Sequence, residues 1–358
     1  MQSQSKSGVW RKVRRGLLVF ASLFLLLVLT AASWNALCDA RDRRRFPPPG
    51  QLVVVDGLKL HLHCIGQGEP TVILDTGFSM PAIGWVRVQP ELAKRTRVCS
   101  YDRAGMGHSE QDSALTPRPA ALLATQLHDL LQRAAVPGPY VLVGHSNGGY
   151  LVRAFHKRFP SEVAGAVLVD SSSEYMDERF QSTLGKDWKV EEADNLRTAH
   201  RMRPVVRALQ WTGVARWQLM QAAQKQNFGL PPDVIAEAIF LLNQPKWYPA
   251  AVAELDGVME TCMELRAGPG MGQLPLIVLT AGNFRPSGGP ADPAQQAEWN
   301  RIWVHELQPQ LARLSTRGRQ VVADSGHMIP FEAPGAVVQA VEEVLKMIAA
   351  SAKDPAAP

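Results

Sequence analysis

Residues 140–149 read YVLVGHSNGG. Tyr140–Gly144 is a short, nearly continuous apolar run, as expected of a strand buried on both faces of a parallel sheet. The stretch GYLVRAFHKRF that follows has the apolar spacing of a helix. Between them Gly144-His145-Ser146-Asn147-Gly148 fits G-x-S-x-G. In such a turn the serine sits on strained backbone between strand and helix, and the glycines let the two elements cross without Cβ clashes. The helix that starts there points its positive end toward any developing anion. The bland alternative is a glycine-rich connector with a bystander serine. Strand before and helix after favour Ser146 as a nucleophile.

Working outward, the same strand grammar recurs. Gln51–Val55 and Leu58–Ile65 are β-rich runs joined by Asp56-Gly57, a two-residue hairpin signal because both positions require positive φ. Thr71–Asp75, Arg97–Asp102 and Ala164–Asp170 are further buried-strand runs, with helical patterns at Gln89–Lys94, Ala120–Ala134 and Gly148–Arg158 between them. This alternation predicts a doubly wound α/β sheet. It stops after Asp170. Residues 171–272 contain no clear buried strand and read as amphipathic helices around Asn195–Trp211, Ala215–Gln226, Asp233–Leu242 and Ala250–Arg266. Strands return at Pro275–Ala281 and Arg319–Ala323, before a last helix over Gly335–Ala350. The eight runs predict an eight-stranded, mostly parallel sheet with helices on both faces. Residues 51–170 and 273–350 form its core, 171–272 a helical lid inserted after the sixth strand, and 351–358 a flexible tail.

The chain has 358 residues, 46% hydrophobic and 20% charged, a globular composition. Its net charge of +5 is unevenly spread: residues 1–45 carry nine cations against two anions, leaving 29 against 31 for the rest. A slightly acidic body offers no footprint for a phosphate backbone, which excludes nucleic-acid binding as the main reading. Gly16–Cys38 is free of charge and Leu17–Ala32 is almost wholly apolar, about the length that crosses a bilayer. An uncleaved signal anchor is favoured over a signal peptide cleaved near Thr30-Ala31-Ala32, whose apolar region runs about 7–15 residues. Five cations precede the span and four follow it, diluted by Asp39 and Asp42. That bias predicts a single-pass membrane protein with its body on the non-cytoplasmic side, the alternative being a secreted or periplasmic body after cleavage. Arg41–Gly50 (RDRRRFPPPG) reads as a polar, proline-rich linker that ends the helix, with 46–50 as its core.

A serine nucleophile needs a base. Of nine histidines, His61 and His63 alternate on a strand, while His128 and His156 lie on helix patterns. His327 follows the last strand in the turn Asp324-Ser325-Gly326-His327, at the carboxyl end where α/β sheets gather functional groups. Two Asp-Thr/Ser-Gly triplets (75–77 and 324–326) resemble aspartic-protease signatures, but those enzymes are mainly β. Gly268, Gly270 and Gly272 follow a helix and do not form a dinucleotide loop. No metal-binding spacing is present, and no cofactor is expected. Cys38, Cys64, Cys99 and Cys262 include no C-x-x-C pair. An exported body would permit a Cys64–Cys99 bridge, which the sequence leaves open.

Taken together, LDTGF (74–78), YDRAGMGHS (101–109), VLVGHSNGG (141–149), VLVD (167–170) and SGHMIPFEAP (325–334) resemble the α/β-hydrolase superfamily over Gln51–Ala350. The resemblance implies a Ser-acid-His triad with Ser146 as nucleophile and His327 as base. It also implies an oxyanion hole of backbone amides from Asn147 and, after the third strand, Phe78. The usual His-Gly before that second donor is replaced by Thr76-Gly77. Many members place the acid in a Gly-x-x-Asp turn, which here reads Gly282-Asn283-Phe284-Arg285. Asp170 matches a second family position, at the end of the strand after the nucleophile helix, with Asp292 and Glu298 as alternatives in the long loop after Ala281. Asp102 reads as a structural turn residue. A serine nucleophile excludes the Asp-dependent epoxide hydrolase and dehalogenase chemistries. The expected activity is ester hydrolysis of a small, fairly apolar molecule, with amide, thioester, lactone or peptide substrates served by the same triad. A non-catalytic binding protein at a membrane is the reading from another class. The lid is rich in Trp211, Trp217, Leu219, Met220, Trp247, Met259 and Met263; most read as lid core, some as lining for an apolar pocket, and a membrane-docking lid is a third reading.

Overall fold

The eight apolar runs pair into one sheet in the computed structural model, which describes residues 4–353 apart from 113, 115, 227 and 286–291. The strands are β1 (Gln51–Val55), β2 (Leu58–Ile65), β3 (Thr71–Asp75), β4 (Val98–Tyr101), β5 (Tyr140–His145), β6 (Val163–Val169), β7 (Leu276–Ala281) and β8 (Gly318–Ala323). Their order is β1-β2-β4-β3-β5-β6-β7-β8, with β2 antiparallel to both its neighbours and every pair from β4 onward parallel. The Asp56-Gly57 turn joins β1 to β2 with φ +48° and +82°, as the dipeptide requires. Cys64 lies opposite Cys99 across β2 and β4, and the two form a disulfide.

The central strands are buried on both faces because side chains alternate with period two. Leu142, Leu168 and Val278 face one layer and pack with Leu127, Leu131 and Phe155 from the helices Ala120–Arg133 and Gly148–Arg158. Val143, Val167 and Leu279 face the other, against Trp85, Val337, Val341 and Val344, the last three from the helix Pro334–Lys353. The parallel strands present their carboxyl ends along one edge, where loops can converge.

Six helices separate β6 from β7: Met176–Thr183, Trp188–Trp211, Val214–Lys225, Pro232–Leu242, Trp247–Asp256 and Val258–Arg266. Two depart from the sequence reading. The expected helix over 250–266 breaks at Gly257, where a Cβ would fall 2.4 Å from the Arg118 carbonyl carbon, so backbone passes backbone there. The helix expected from Asn195 starts at Trp188, capped by the Asp187 carboxylate accepting from the Lys189 amide. After β7, the expected long loop holds helix Pro293–Ile302, a π-turn at Trp303–Leu307 and helix Gln308–Ala312. The final helix reaches Lys353, so residues 351–353 of the expected flexible tail are helical; 354–358 lie outside the described residues.

At the other end a 42-residue helix runs from Gln4 to Arg45. It is long and apolar enough to cross a membrane, with a mean hydropathy of 2.4 in its most apolar window. It does not stop at Arg41, as the linker reading predicts, because its last turns are packed. Phe46 stacks on Phe240 at 6.2 Å, and Asp42 accepts from Arg216 at 2.6 Å.

The short stretch after this helix is tied to the sheet by a buried charge. His61 Nδ1 lies 2.7 Å from the Asp102 carboxylate and Nε2 lies 2.6 Å from the Pro49 carbonyl. Two acceptors demand two ring protons, so the imidazole is the cation. Burial works against that charge, but the hydrogen bond and charge of Asp102 outweigh it and raise the His61 pKa. Asp102 also accepts from the Ala82 and His108 amides. It is structural, as the sequence reading holds. Asp102→Asn should cost about 3–5 kcal/mol in chemical denaturation, because it leaves a buried imidazolium without its counter-ion. Since the folded pKa is the higher one, the stabilisation by His61 is complete below about pH 6.5 and fades as pH rises through the folded value. Denaturation curves for His61→Gln should therefore lose less stability than wild type on going to alkaline pH.

Candidate active site

Packing around β5 dictates the geometry of the site. A Cβ on Gly144 would sit 2.4 Å from the Gly148 carbonyl oxygen, and one on Gly148 would sit 2.7 Å from the Asp75 carbonyl oxygen. Only glycine allows strand and helix to come this close. The tight junction forces Ser146 to φ +53°, a left-handed conformation that costs a non-glycine residue of order 1–3 kcal/mol. Surrounding bonds hold it there: the Ser146 amide donates to the Val169 carbonyl, and its own carbonyl accepts from the Gly149 and Ser172 amides, all at 3.0 Å.

His327 reaches this serine from the turn after β8. Its Nε2 lies 3.1 Å from Ser146 Oγ and its Nδ1 lies 2.6 Å from Asp170 Oδ2. Asp170 directly follows β6, is fully buried and also sits at positive φ, +42°. A buried carboxylate must be satisfied. Its second oxygen accepts from the Ala281 amide at 2.8 Å and from the Trp303 indole N–H at 2.6 Å. Three donors thus converge on one carboxylate, which fixes its orientation toward His327.

The alternative acids lie elsewhere because their stretch is helical. Asp292 caps helix Pro293–Ile302, accepting from the Ala294 and Gln295 amides, and Glu298 is exposed and paired with Arg301 at 2.7 Å. Neither is bonded to His327.

Phe78 and Asn147 flank the serine. A Cβ on Gly77 would come within 3.2 Å of Ser146 Cβ, which puts the 76–80 segment directly against the nucleophile. The segment is held by its carbonyls: Arg103 donates to the Gly77 oxygen at 2.5 Å and the Trp247 indole to the Ser79 oxygen at 2.7 Å. Ser79 is at φ +57°. Among the described hydrogen bonds, neither the Phe78 nor the Asn147 amide donates to a protein group. The Asn147 side chain is turned away, its oxygen accepting from Ser172 Oγ at 2.7 Å.

Three residues that the sequence reading leaves without a role complete the surroundings. His145, buried beside His327, donates Nε2–H to the His327 carbonyl at 2.9 Å. Burial, with the neighbouring His327 ring, pushes its pKa down to about 3, so it is neutral and acts as a fixed donor. Arg103 is buried between Asp75 at 3.4 Å and Glu254 at 3.1 Å. Those carboxylates outweigh its burial and raise its pKa. Trp303 lies in the π-turn of a stretch read as loop, so no periodicity marked it. Its ring stacks on Phe284 at 4.0 Å, which aims the indole N–H at Asp170. Arg103 stands within YDRAGMGHS, and His145 within the serine motif, but spacing alone does not tell what either touches.

Among the described residues no group of three or more His, Cys, Asp or Glu side chains is placed to hold a metal ion. The bonded chain Asp170–His327–Ser146 can move the serine proton onto imidazole and hold the resulting cation against a carboxylate.

Comparison with known proteins identifies the family. The model of the alpha/beta hydrolase family matches residues 60–340. A 2-hydroxy-6-oxo-2,4-heptadienoate hydrolase from Pseudomonas putida is 32% identical over 124 residues, 34% of this chain and 44% of that protein. The chain spans less than half the length of each curated relative it matches, from 15% to 46%. A thermophilic esterase from Thermogutta terrifontis superposes with a TM-score of 0.57 at 22% identity, over 83% of this chain and 97% of that one. An enol-lactonase from Burkholderia xenovorans LB400 does so with a TM-score of 0.54 at 20% identity, over 82% and 99%. The family match runs from β2 into the last helix and takes in Ser146, Asp170 and His327, so the chain belongs to the alpha/beta hydrolase family.

Proposed function

We propose that the protein is a serine hydrolase that cleaves carboxylic esters with an apolar acyl group, through an acyl-enzyme on Ser146. The observation that carries this reading is the continuous chain from the buried Asp170 through His327 to the strained Ser146. His327 Nε2 takes the Oγ proton as Oγ attacks the ester carbonyl. The Phe78 and Asn147 amides stabilise the oxyanion, and the cation formed on His327 is balanced by Asp170. His327 then hands the proton to the departing alkoxide, and water, activated by the same imidazole, releases the acid. The non-catalytic reading needs an incomplete triad, and the 2.6 Å contact between His327 and Asp170 speaks against it.

Residues 171–272 serve here as a cap over the site. Trp247 and Glu254 reach from it to the 76–80 segment and to Arg103. A cleft of about 260 Å³ lies between cap and core, with Met80 and Phe331 on the core side and Leu219, Ala222 and Ile235 on the cap side. The cleft is smaller than the roughly 300–1,000 Å³ of most ligand pockets, and because Met80 belongs to the segment beside Ser146 we assign it to a single acyl chain. We read the N-terminal helix as a retained single-pass anchor with the body outside the cytoplasm, where the Cys64–Cys99 disulfide persists. Release of the body after signal cleavage is the alternative.

Fluorophosphonate labelling of the detergent-solubilised full-length protein should be strong and absent in Ser146→Ala. Asp170→Asn should lower kcat/KM on a p-nitrophenyl ester by about 10³–10⁴-fold, since an amide mis-sets the His327 tautomer. A folded wild-type protein that does not label overturns the hydrolase reading. Ala222→Trp, which fills the cleft, should move the preferred acyl length to shorter chains in a p-nitrophenyl ester series. His145 stays neutral when folded but takes a proton below about pH 6.5 when unfolded, so it weakens the fold by up to about 1.4 kcal/mol per pH unit down to its folded pKa of about 3. Tm measured between pH 4 and 7 should fall less steeply for His145→Gln, which keeps an N–H for the His327 carbonyl.

A further inference from the structure

The seam between the anchor helix and the cap carries charges of two kinds. Where Arg216 meets the anchor it is matched, bonded to Asp39, to Asp42 at 2.6 Å and to Asn35 at 3.2 Å. A few residues away lies a cavity of about 710 Å³ that is not matched. Arg43 from the anchor, Arg203 and Arg207 from helix Trp188–Trp211, and Lys246 line it, and no Asp or Glu does.

Protein groups occupy these cations only in part. Arg43 meets the neutral Gln244 at 3.3 Å, and Lys246 donates to the Ser109 carbonyl at 2.6 Å. Arg203 has only Asp256, at 3.8 Å and shared with His200, and its Nε and Nη2 are buried without a hydrogen bond. Arg207 has no polar partner among the described residues. Burial, helped by Arg43, holds the Lys246 ammonium down to a pKa of about 8 against the opposing charges of Asp102 and Glu110. Cations gathered around one cavity with no carboxylate in its lining repel one another, and an anion entering it relieves that repulsion.

The cavity also continues in one direction. A second space of about 510 Å³ shares Pro204, Arg207, Gln210 and Pro245 with it and is walled further by Ala32, Ala36 and Trp211, with Asn35, Asn243 and Asp39, which pairs with Arg216, as its polar edges. Ala32 ends the apolar run of the N-terminal helix, and Gly213, just before helix Val214–Lys225, lies so near that a Cβ on it would fall 3.1 Å from Asn35 Cβ. Trp211, part of its wall, is 55% exposed, and tryptophan collects at the membrane–water interface of membrane proteins. A cationic chamber adjoins a space with an apolar wall of Ala32, Ala36 and Trp211 at the point where the N-terminal helix leaves its apolar segment.

We propose that this seam binds an anionic phospholipid, with its phosphate against Arg43, Arg203, Arg207 and Lys246 and its apolar part along Ala32, Ala36 and Trp211 toward the bilayer. The site is separate from Ser146 and does not depend on the hydrolase reading; it rests on the N-terminal helix being a retained anchor. The bound lipid would bridge anchor and cap, completing the matching that Arg216 begins.

Full-length protein in phosphatidylcholine nanodiscs, with or without one-fifth phosphatidylglycerol, tests this by native mass spectrometry of retained lipid and by Tm. Wild type should retain phosphatidylglycerol in preference to phosphatidylcholine and melt higher in its presence. Arg207→Gln, which breaks no protein contact, and Arg203→Gln should each weaken retention about ten-fold. Arg197→Gln, an exposed charge removed from the same helix, should not. Equal loss in Arg197→Gln would mean bulk attraction to a negative surface and overturn the site. A Tm rise of the same size with inorganic phosphate in phosphatidylcholine nanodiscs would overturn the lipid and leave a site for free phosphate. Fluorophosphonate labelling of Ser146 in every variant reports the integrity of the body independently.

Discussion

The approach of β5 to the helix that follows it governs the rest of the molecule. With no side chain at Gly144 or Gly148, backbone meets backbone, and the residue between them has one conformation left, at positive φ. That conformation is unfavourable for serine, so the sheet must hold it. The bonds from Ser146 to Val169 and Ser172 tie the turn to the end of β6, where Asp170 sits at positive φ for the same topological reason. Ser146 and Asp170 thus share one strained corner, and His327 bridges them from the turn after β8.

Arg103 extends this constraint to the opposite wall. A cation buried between two carboxylates is a poor source of net stability, since desolvation consumes most of the attraction. Its value lies in position: the same guanidinium grips the Gly77 carbonyl and so fixes the peptide unit that carries the Phe78 amide. Trp247 and Trp303 act alike, each spending an indole N–H on a group beside the reacting atoms. Three hydrogen bonds from residues distant in sequence fix the outer surroundings of the triad.

Much of this is legible in the sequence, and the rest is not, for physical reasons. Period-two runs and a glycine-framed serine determine local structure, so all eight strands and the nucleophile turn could be read directly. His327 could be placed because strand ends define where loops converge. Asp170 was legible only through family resemblance, since a strand-end aspartate has the same local pattern whether or not it meets a histidine. Trp303 escaped because the stretch from Asp292 to Ala312 mixes Pro, Gln and Trp without clean periodicity, its helices being held by packing on Phe180 and Phe284. The break at Gly257 is invisible for a related reason: the glycine answers to Arg118, more than a hundred residues away. The bond between Cys64 and Cys99 depends on the register of β2 against β4, which neither run contains alone.

The anchor helix does not end in a flexible tether. It passes without interruption into turns clamped by Arg216 and Phe240, both of which belong to the cap and not to the α/β body. Just beyond those turns the Pro49 carbonyl accepts from His61, so the same strut is bound to the sheet as well. With one helix end gripping both Phe240 and the sheet, opening of the cleft would require movement of the helices that the strut leaves free, and the two gripped parts would travel together.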